Sequence, residues 1–282
     1  MGKWFSHPPF LLSRRSDGRS PQCSSLPGLN TSVLLPPEIL DKIFEWIPTS
    51  REGRPTLIAC ALVATRWTGP SQRRLFSSVE IDEYNYRRWM KGVILSGSKA
   101  HLLEYVRSLR HSHGRDHRLR DLPRDSGKYF SALHNLHSLT FYQTRIEHIS
   151  EEKFHTCFSA FRETLTHLSL DTFTTSFSAF VTLVDHFPNI TTLQLHSFVL
   201  EPDGGPVPSL SRPLRGKLHI HSVQANRLEF FNRFAKLDLE YEELVITGTP
   251  FMYKETEFME SALQISANTV KFLSLTTEHN RE

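Results

Sequence analysis

Apolar residues recur at helical spacing near the start of a stretch from Leu34 to Ile81, and they predict a short first helix. Pro36 and Pro37 suit a helix start because the missing N–H needs no partner there, and Glu38 puts a favourable negative charge in the first turn. The apolar positions that follow form a single helical stripe, which consists of Ile39, Leu40, Ile43, Phe44 and Ile47. Pro48 then ends the helix.

Two further runs predict a second and a third helix in the same stretch. The second run covers Thr56 to Ala64 and is almost wholly apolar. The third opens at Thr65, is interrupted at Gly69-Pro70 and ends near Phe76, so Pro70 is expected to restart the helix at its first position. A unit of this size cannot bury such wide apolar faces alone. The spare apolar surface therefore predicts a partner.

Five short elements of this stretch follow one another in the order Leu35-Pro36-Pro37-Glu38-Ile39-Leu40, Ile43-Phe44, Leu62-Val63, Arg66-Trp67 and Leu75-Phe76. In order and spacing they resemble the F-box of proteins from filamentous fungi and mushrooms. The resemblance implies docking on a Skp-type adaptor and, through it, on a cullin–RING ubiquitin ligase. It implies adaptor binding by Leu35, Pro36, Ile39, Leu40, Ile43, Phe44, Leu62, Val63 and Trp67. The alternative is an ordinary helical hairpin that caps the rest of the chain.

A short strand-like unit recurs behind this stretch, and its first, fourth and sixth places are apolar. The clearest copies are Leu136–Phe141, Leu165–Leu170 and Ile190–Leu195, whereas the copies at 106–111 and 215–220 are degenerate. The fourth-place residues lie 25 to 30 residues apart and are Val79, Leu109, Leu139, Leu168, Leu193, Leu218, Leu244 and Leu273. This spacing is close to the leucine-rich-repeat period of about 20–29 residues.

The segments between these units carry apolar residues three and four apart, as in Phe154, Phe158 and Phe161, and they predict helices. Parallel strands joined by crossover helices explain why both kinds of element are apolar. The region resembles the irregular leucine-rich repeats that follow many F-boxes. The usual asparagine at the ninth place is absent, however, so a different curvature is expected; the residues there are Thr144, Phe173, Phe198 and Val223.

The predicted fold class is therefore α/β, with an N-terminal three-helix F-box followed by an irregular leucine-rich-repeat solenoid. The solenoid is expected to carry parallel strands on its concave side and helices on its convex side. The predicted domains are a disordered basic Ser/Pro-rich tail over 1–33, the F-box over 34–76 and the solenoid over 77–282. No polar capping repeat follows Leu273. Because solenoids need capped ends, we expect a truncated chain or a pairing partner there.

Composition and charge change this picture little. The chain has 282 residues, of which 39% are hydrophobic and 22% charged, as in globular proteins. Its net charge of +3 resides in the tail, where Lys3, Arg14, Arg15 and Arg19 outnumber Asp17. The remaining chain is neutral, so no nucleic-acid partner is predicted. Met1-Gly2 with Ser6 fits the bare N-myristoylation pattern, and an accidental match is the better interpretation.

The cysteines and the apolar runs indicate an intracellular protein. Cys23, Cys60 and Cys157 are far apart, so neither a disulfide framework nor a pair with metal spacing is predicted. No run approaches the roughly twenty apolar residues of a membrane span. The expected location is the cytoplasm, the nucleus or both.

Histidines are numerous, at fifteen, and the densest group is His111, His113 and His117. Such spacing can bind zinc or copper. The neighbouring Gly, Arg and Asp residues favour a solvated loop instead. No metalloprotease, phosphate-loop or nucleophile-elbow motif occurs. The sequence therefore predicts no intrinsic enzymatic site, no metal and no cofactor.

Polar residues occupy the third, fifth and seventh places of the strand-like units, which point away from the core. The predicted target-binding residues on this face are Tyr142, His167, Asp171, Gln194, His196, Lys217, His219 and His221. Crowding of cationic groups around Lys217 leads to the hypothesis that an acidic or phosphorylated stretch of a protein target binds there. The alternative is that the face is polar only because it is solvated.

Two functions are consistent with these patterns. In the first, the chain is the substrate-recognition subunit of a Skp–cullin–F-box ubiquitin ligase, which brings a target close to a ubiquitin-loaded enzyme and makes no bonds itself. In the second, the chain is a leucine-rich-repeat interaction module that acts outside a ubiquitin ligase. Co-purification with a Skp-type adaptor separates the two.

Overall fold

The computed structural model describes residues 35–50, 52–82, 84–112, 120–121, 127, 130–146, 151–201, 208–221, 230, 233–234, 236–237, 239–248 and 270–277. The predicted tail over 1–33 and the Gly2 pattern lie outside these residues. The architecture is α/β, and the sheet is parallel.

Three helices open the described chain: α1 (Pro37–Glu45), α2 (Arg54–Val63) and α3 (Thr65–Phe76). Helix α1 has proline at its first position and Glu38 in its first turn, as the sequence predicts. A small core joins the three helices, and its buried members are Leu40, Phe44 and Leu57. The Trp67 ring packs edge-to-face on Phe44 at 6.2 Å between centroids.

The predicted interruption at Gly69-Pro70 is wrong, because α3 runs through both residues. Pro70 is buried, so packing against its ring offsets the backbone hydrogen bond that proline cannot donate. Side chains also tie α3 to the other two helices. The Thr68 hydroxyl donates to the Ala61 carbonyl at 3.0 Å, and the Arg74 guanidinium donates to the Ile47 carbonyl at 3.1 Å.

Twelve strands occur in the described residues: β1 (Ser78–Ile81), β2 (Ser108–Ser112), β3 (Arg120–Asp121), β4 (Ser138–Tyr142), β5 (Thr144–Ile146), β6 (His167–Asp171), β7 (Thr174–Ser176), β8 (Thr192–His196), β9 (Val199–Glu201), β10 (Leu214–His221), β11 (Leu239–Gly248) and β12 (Phe272–Thr277). Eight of them form one sheet in the order β1-β2-β4-β6-β8-β10-β11-β12, and the short strands form a second sheet in the order β3-β5-β7-β9. Neighbouring strands therefore follow the order of the chain.

The register of the large sheet confirms the repeat that the sequence predicts. The eight fourth-place residues, from Val79 to Leu273, are direct partners across the sheet. They are buried up to Leu244, and only Leu273 on the last described strand is exposed, at 37%. The degenerate copies around Leu109 and Leu218 occupy the same row as the clear ones.

The predicted helices between strands are confirmed where the structure describes them. A first irregular segment comprises α4 (Tyr86–Trp89), a π-helical turn (Met90–Ile94) and a 3₁₀ stretch (Gly97–Tyr105). Helix α5 (Glu151–Phe158) continues as a 3₁₀ turn, and α6 (Phe177–Asp185) is capped at its N-terminus by Ser176, whose hydroxyl accepts the Ala179 N–H at 3.2 Å. The helical spacing of Phe258, Ala262 and Ile265 predicts a further helix, and these residues lie outside the described ones.

A repeated corner connects the long strands β4, β6 and β8 to the short strands β5, β7 and β9. Gln143, Thr172 and Ser197 have positive φ angles of 53°, 51° and 49°. Their N–H groups donate to carbonyls of the next strand, at Asp171 (2.9 Å), His196 (2.7 Å) and His221 (2.8 Å). Backbone hydrogen bonds between neighbouring strands thus continue through the corner, although the usual ninth-place asparagine is absent. Buried Phe173 and Phe198, which stand at that place, stack on each other at 6.2 Å between centroids.

Gly216 occupies a bulge where β10 shifts its register against β11, and it cannot accept a side chain. Its φ is +92°, and a Cβ atom would lie 2.2 Å from the Thr191 carbonyl oxygen. We expect Gly216→Ala to lower the free energy of unfolding by about 2–4 kcal/mol, from backbone strain and steric overlap. The control is Gly92→Ala, where a Cβ meets nothing within 4 Å. Equal urea midpoints for the two variants would contradict this role of Gly216.

His186 follows α6 and is buried beside Phe187 and His155. Burial, and then the charges of His155 and Arg162, lower the pKa of His186 from 6.5 to about 4. Between these pH values the unfolded chain binds a proton that the folded chain does not, so stability falls as the pH drops through this window.

We expect His186→Phe to flatten that acid dependence, measured as urea midpoints between pH 7 and pH 4.5. The control is His134→Phe, at an exposed position. If the His186 variant and the wild type lost stability equally on acidification, the proton uptake would arise elsewhere.

Candidate functional site

An exposed apolar surface covers part of the helical unit. Among the described residues, six of the ten exposed large hydrophobic side chains lie between positions 35 and 63. We call them the apolar helix surface, and they are Leu35, Ile39, Ile43, Trp46, Leu62 and Val63. Ile39, Ile43 and Trp46 are spaced by four and three residues, so they lie on one side of α1 and of the residue that caps its C-terminus. Large apolar groups concentrated in this way are typical of an interaction site.

The structure divides the residues that the F-box resemblance implies as adaptor contacts. Leu35, Pro36, Ile39, Ile43, Leu62 and Val63 are exposed. Leu40 and Phe44 are buried at 4% and 3% exposure, and Trp67 is half-buried against Phe44. These three residues hold the helices together and do not belong to the apolar helix surface.

Trp46 is the most exposed of these hydrophobic residues, at 87%, and sequence reasoning missed it. Its position three residues after Ile43 was the available signal. It lies just beyond the end of α1, whereas the predicted stripe of Ile39, Leu40, Ile43 and Phe44 continues at Ile47. Ile47 is half-buried and packs on the small core instead.

The second candidate surface is the polar sheet face, made of the third-, fifth- and seventh-place residues of the large sheet. The predicted alternation is confirmed on β4, β6 and β10, where these residues are exposed or half-buried while the fourth- and sixth-place residues are buried. Ser112 on β2 and Thr192 on β8 are exceptions, at 7% and 8% exposure, and Thr192 lies between the longer side chains of His167 and Lys217. All eight predicted target-binding residues lie on this face, on β4, β6, β8 and β10.

Four of the predicted residues are direct neighbours in one row: Tyr142, Asp171, His196 and His221. His196 Nδ1 lies 2.9 Å from Asp171 Oδ1. The His196 and His221 rings stack with centroids 4.3 Å apart and planes 2° apart. His221 Nδ1 in turn forms a hydrogen bond with the Thr247 hydroxyl. A connected group of side chains therefore spans four neighbouring strands.

A second group centres on Glu243, which sequence reasoning did not select. Lys217 Nζ lies 2.6 Å from Glu243 Oε2, and His219 Nε2 lies 3.1 Å from Glu243 Oε1. The hydrogen bond from Lys217, followed by that from His219, holds the pKa of Glu243 below its usual value. The available signal was that Glu243 and Lys217 both occupy the third place of their units, and these places are direct partners across β10 and β11.

The charges on the polar sheet face disfavour the hypothesis of an acidic target. Its described positions carry two fixed cations, Arg110 and Lys217, against three carboxylates, Glu80, Asp171 and Glu243. Lys217 already binds Glu243, and Arg110 Nε lies 3.7 Å from Glu80 Oε1. No fixed cation of the described face is left over for an acidic ligand.

The histidines do not form a metal site in the part of the chain that the structure describes. His196 and His221 could not share an ion, because the lone pairs of parallel rings lie in parallel planes and never converge. The solvated-loop prediction is wrong for His111, which lies in β2 and is buried between the Phe130 and Phe141 rings. His113 and His117 lie outside the described residues.

Comparison with protein-family models gives no match, and comparison with curated proteins gives none either. Within the described ranges, no helix is both long and apolar enough to cross a membrane. We therefore infer function from the two surfaces themselves.

Proposed function

We propose that this chain is the substrate-recognition subunit of a Skp–cullin–F-box ubiquitin ligase. The observation that carries the proposal is the apolar helix surface on a unit with its own small core. The buried core of Leu40, Phe44 and Leu57 is separate from the large core under the sheet. The helical unit buries its own core and still exposes Ile39, Ile43 and Trp46. Its surface is therefore suited to a hydrophobic partner.

The partner we propose is a Skp-type adaptor, because the exposed residues coincide with the F-box-like elements Leu35-Pro36, Ile39, Ile43 and Leu62-Val63. Burying an Ile or Leu side chain contributes about 1.5–3 kcal/mol. Three or four such contacts together contribute about 5–12 kcal/mol, which is comparable to the association cost of about 4–15 kcal/mol. The adaptor would then connect the chain to a cullin–RING ligase in the cytoplasm or nucleus.

In this proposal, the remainder of the chain is an irregular leucine-rich-repeat solenoid that binds the target and holds it near the ligase. Strands that follow one another in chain order, with a single buried row from Val79 to Leu244, support this finer description of the fold. The polar sheet face would bind the target protein. The chain forms and breaks no covalent bond itself, and ubiquitin transfer is the work of the ligase.

The alternative is a repeat-based interaction module outside a ligase, and the extent of the polar sheet face over eight strands favours it as much as it favours the first proposal. The apolar helix surface favours the ligase subunit over the interaction module, because only the ligase proposal gives these exposed residues a partner.

The test is gel filtration of the purified chain with a purified Skp-type adaptor, followed by addition of the cullin. We expect a one-to-one complex with the adaptor, and retention of the cullin only when the adaptor is present. The control omits the adaptor. Separate elution of chain and adaptor at micromolar concentrations would overturn the proposal and favour the alternative.

A further inference from the structure

We infer that the Asp171–His196–His221 group receives an arginine of the target protein. This inference rests on the proposed function, since it identifies the chemistry of the target that the polar sheet face binds. Its starting point is the charge on that face. Glu80 and Arg110 offset each other, as do Glu243 and Lys217.

Within the strands of the described face, Asp171 is the one carboxylate without a fixed cation beside it. Its hydrogen-bond partners are the His196 ring and the Thr172 hydroxyl, at 2.9 Å and 3.2 Å. Both carry no charge when the imidazole is neutral. The group therefore has one net negative charge, and a cationic ligand complements it.

The hydrogen bonds also fix which atoms are acceptors. An ionised carboxylate has no hydrogen to donate, so His196 Nδ1 must donate to Asp171 Oδ1. In the neutral ring His196 Nε2 then carries a lone pair and accepts hydrogen bonds. The His196 side chain is 47% exposed and the Asp171 side chain 21%. A ligand with several N–H donors can thus reach both a carboxylate and an imidazole acceptor.

The flat stack of His196 and His221 distinguishes arginine from lysine. A guanidinium is planar, weakly hydrated and stacks on aromatic faces, whereas an ammonium group is a strongly hydrated point charge. The same row already holds one such contact, because the Arg110 guanidinium lies 4.5 Å from the centroid of the Tyr142 ring. The geometry of this face therefore accommodates guanidinium groups against its rings.

The row from Tyr142 to His221 crosses four strands, which at about 4.8 Å per strand gives about 14 Å. An extended peptide advances about 3.4 Å per residue, so the row fits a segment of about four residues. We expect such a segment to carry an arginine near its centre, with uncharged neighbours over Tyr142 and His221.

The test is a selection from a randomised heptapeptide library on the purified full chain. We expect arginine to be enriched among retained peptides. The best peptide should bind about tenfold or more weakly to Asp171→Asn, because a hydrogen-bonded charge is removed. In that peptide, arginine-to-lysine should weaken binding and arginine-to-glutamine should abolish it. The matched control is Glu80→Gln, which removes the same charge from the same face and should leave binding unchanged.

A second variant guards against misfolding of the first. His196→Gln keeps a donor for Asp171 but removes the ring, and we expect a several-fold loss with an unchanged urea midpoint. Enrichment of acidic peptides, absence of any retained peptide, or equal binding by wild type and Asp171→Asn would each overturn the inference. Adaptor binding is read separately in the same samples. If the chain did not bind the adaptor but still selected arginine-containing peptides, only the ligase proposal would be overturned.

Discussion

Phe158→Ala is expected to lower the free energy of unfolding of the sheet-bearing part of the chain by about 3–5 kcal/mol. Phe158 is fully buried, and its ring centroid lies 5.1 Å from that of Phe130, 6.1 Å from Phe141 and 6.0 Å from Phe187. Truncating a buried Phe costs about 3–5 kcal/mol, from lost burial and from the cavity left behind. This is a large share of the roughly 5–15 kcal/mol by which folded domains are stable.

The measurement is the free energy of unfolding from urea titrations followed by circular dichroism. Phe272→Ala is the matched control, because Phe272 is 55% exposed and should change stability by no more than about 0.5 kcal/mol. Similar losses for both variants would show that the aromatic cluster around Phe158 is not the centre of the core.

Ile43→Asp is expected to reduce affinity for a Skp-type adaptor by at least about a hundredfold. Ile43 is 47% exposed on α1, so the change should leave the folded chain intact. At an apolar interface it removes about 1.5–3 kcal/mol of burial and adds the cost of an unpaired buried carboxylate. The measurement is isothermal titration of adaptor into the purified chain.

The control is Leu95→Asp, which replaces another exposed hydrophobic residue, 67% exposed and outside the helical unit. It should bind the adaptor as the wild type does. Leu40→Ala serves a different purpose, because Leu40 is buried and its truncation weakens the helical unit itself. An unchanged affinity of Ile43→Asp would remove α1 from the docking surface.

The repeat was predictable from the sequence because its register depends on spacing alone. Leucine or valine every 25 to 30 residues, two places before another apolar residue, defines both a strand and its alignment with the next. Even the degenerate unit at Leu218 pairs in the expected row. The Gly216 bulge was not predictable, because it arises where the backbone of β10 passes the Thr191 carbonyl.

The division between core and surface in the helical unit was only partly predictable. Ile39 and Leu40 are equally apolar and adjacent, and only the packing of Leu57 and Trp67 determines which of them is inside. The pairing of Lys217 with Glu243 was missed for a related reason. The two residues are 26 positions apart in the chain and meet only because β10 and β11 are neighbours in the sheet. The spacing of residues within one strand does not show which charge of the next strand lies opposite.

Hydrogen–deuterium exchange of the chain with and without the adaptor tests the central claim most directly, because it separates the two surfaces in one experiment. We expect amide exchange to slow over α1, from Pro37 to Glu45, and over the end of α2 at Leu62 and Val63. The strands that carry the polar sheet face, β6, β8 and β10, should exchange at unchanged rates. Protection of those strands, or unchanged exchange over α1, would contradict the assignment of the apolar helix surface to the adaptor.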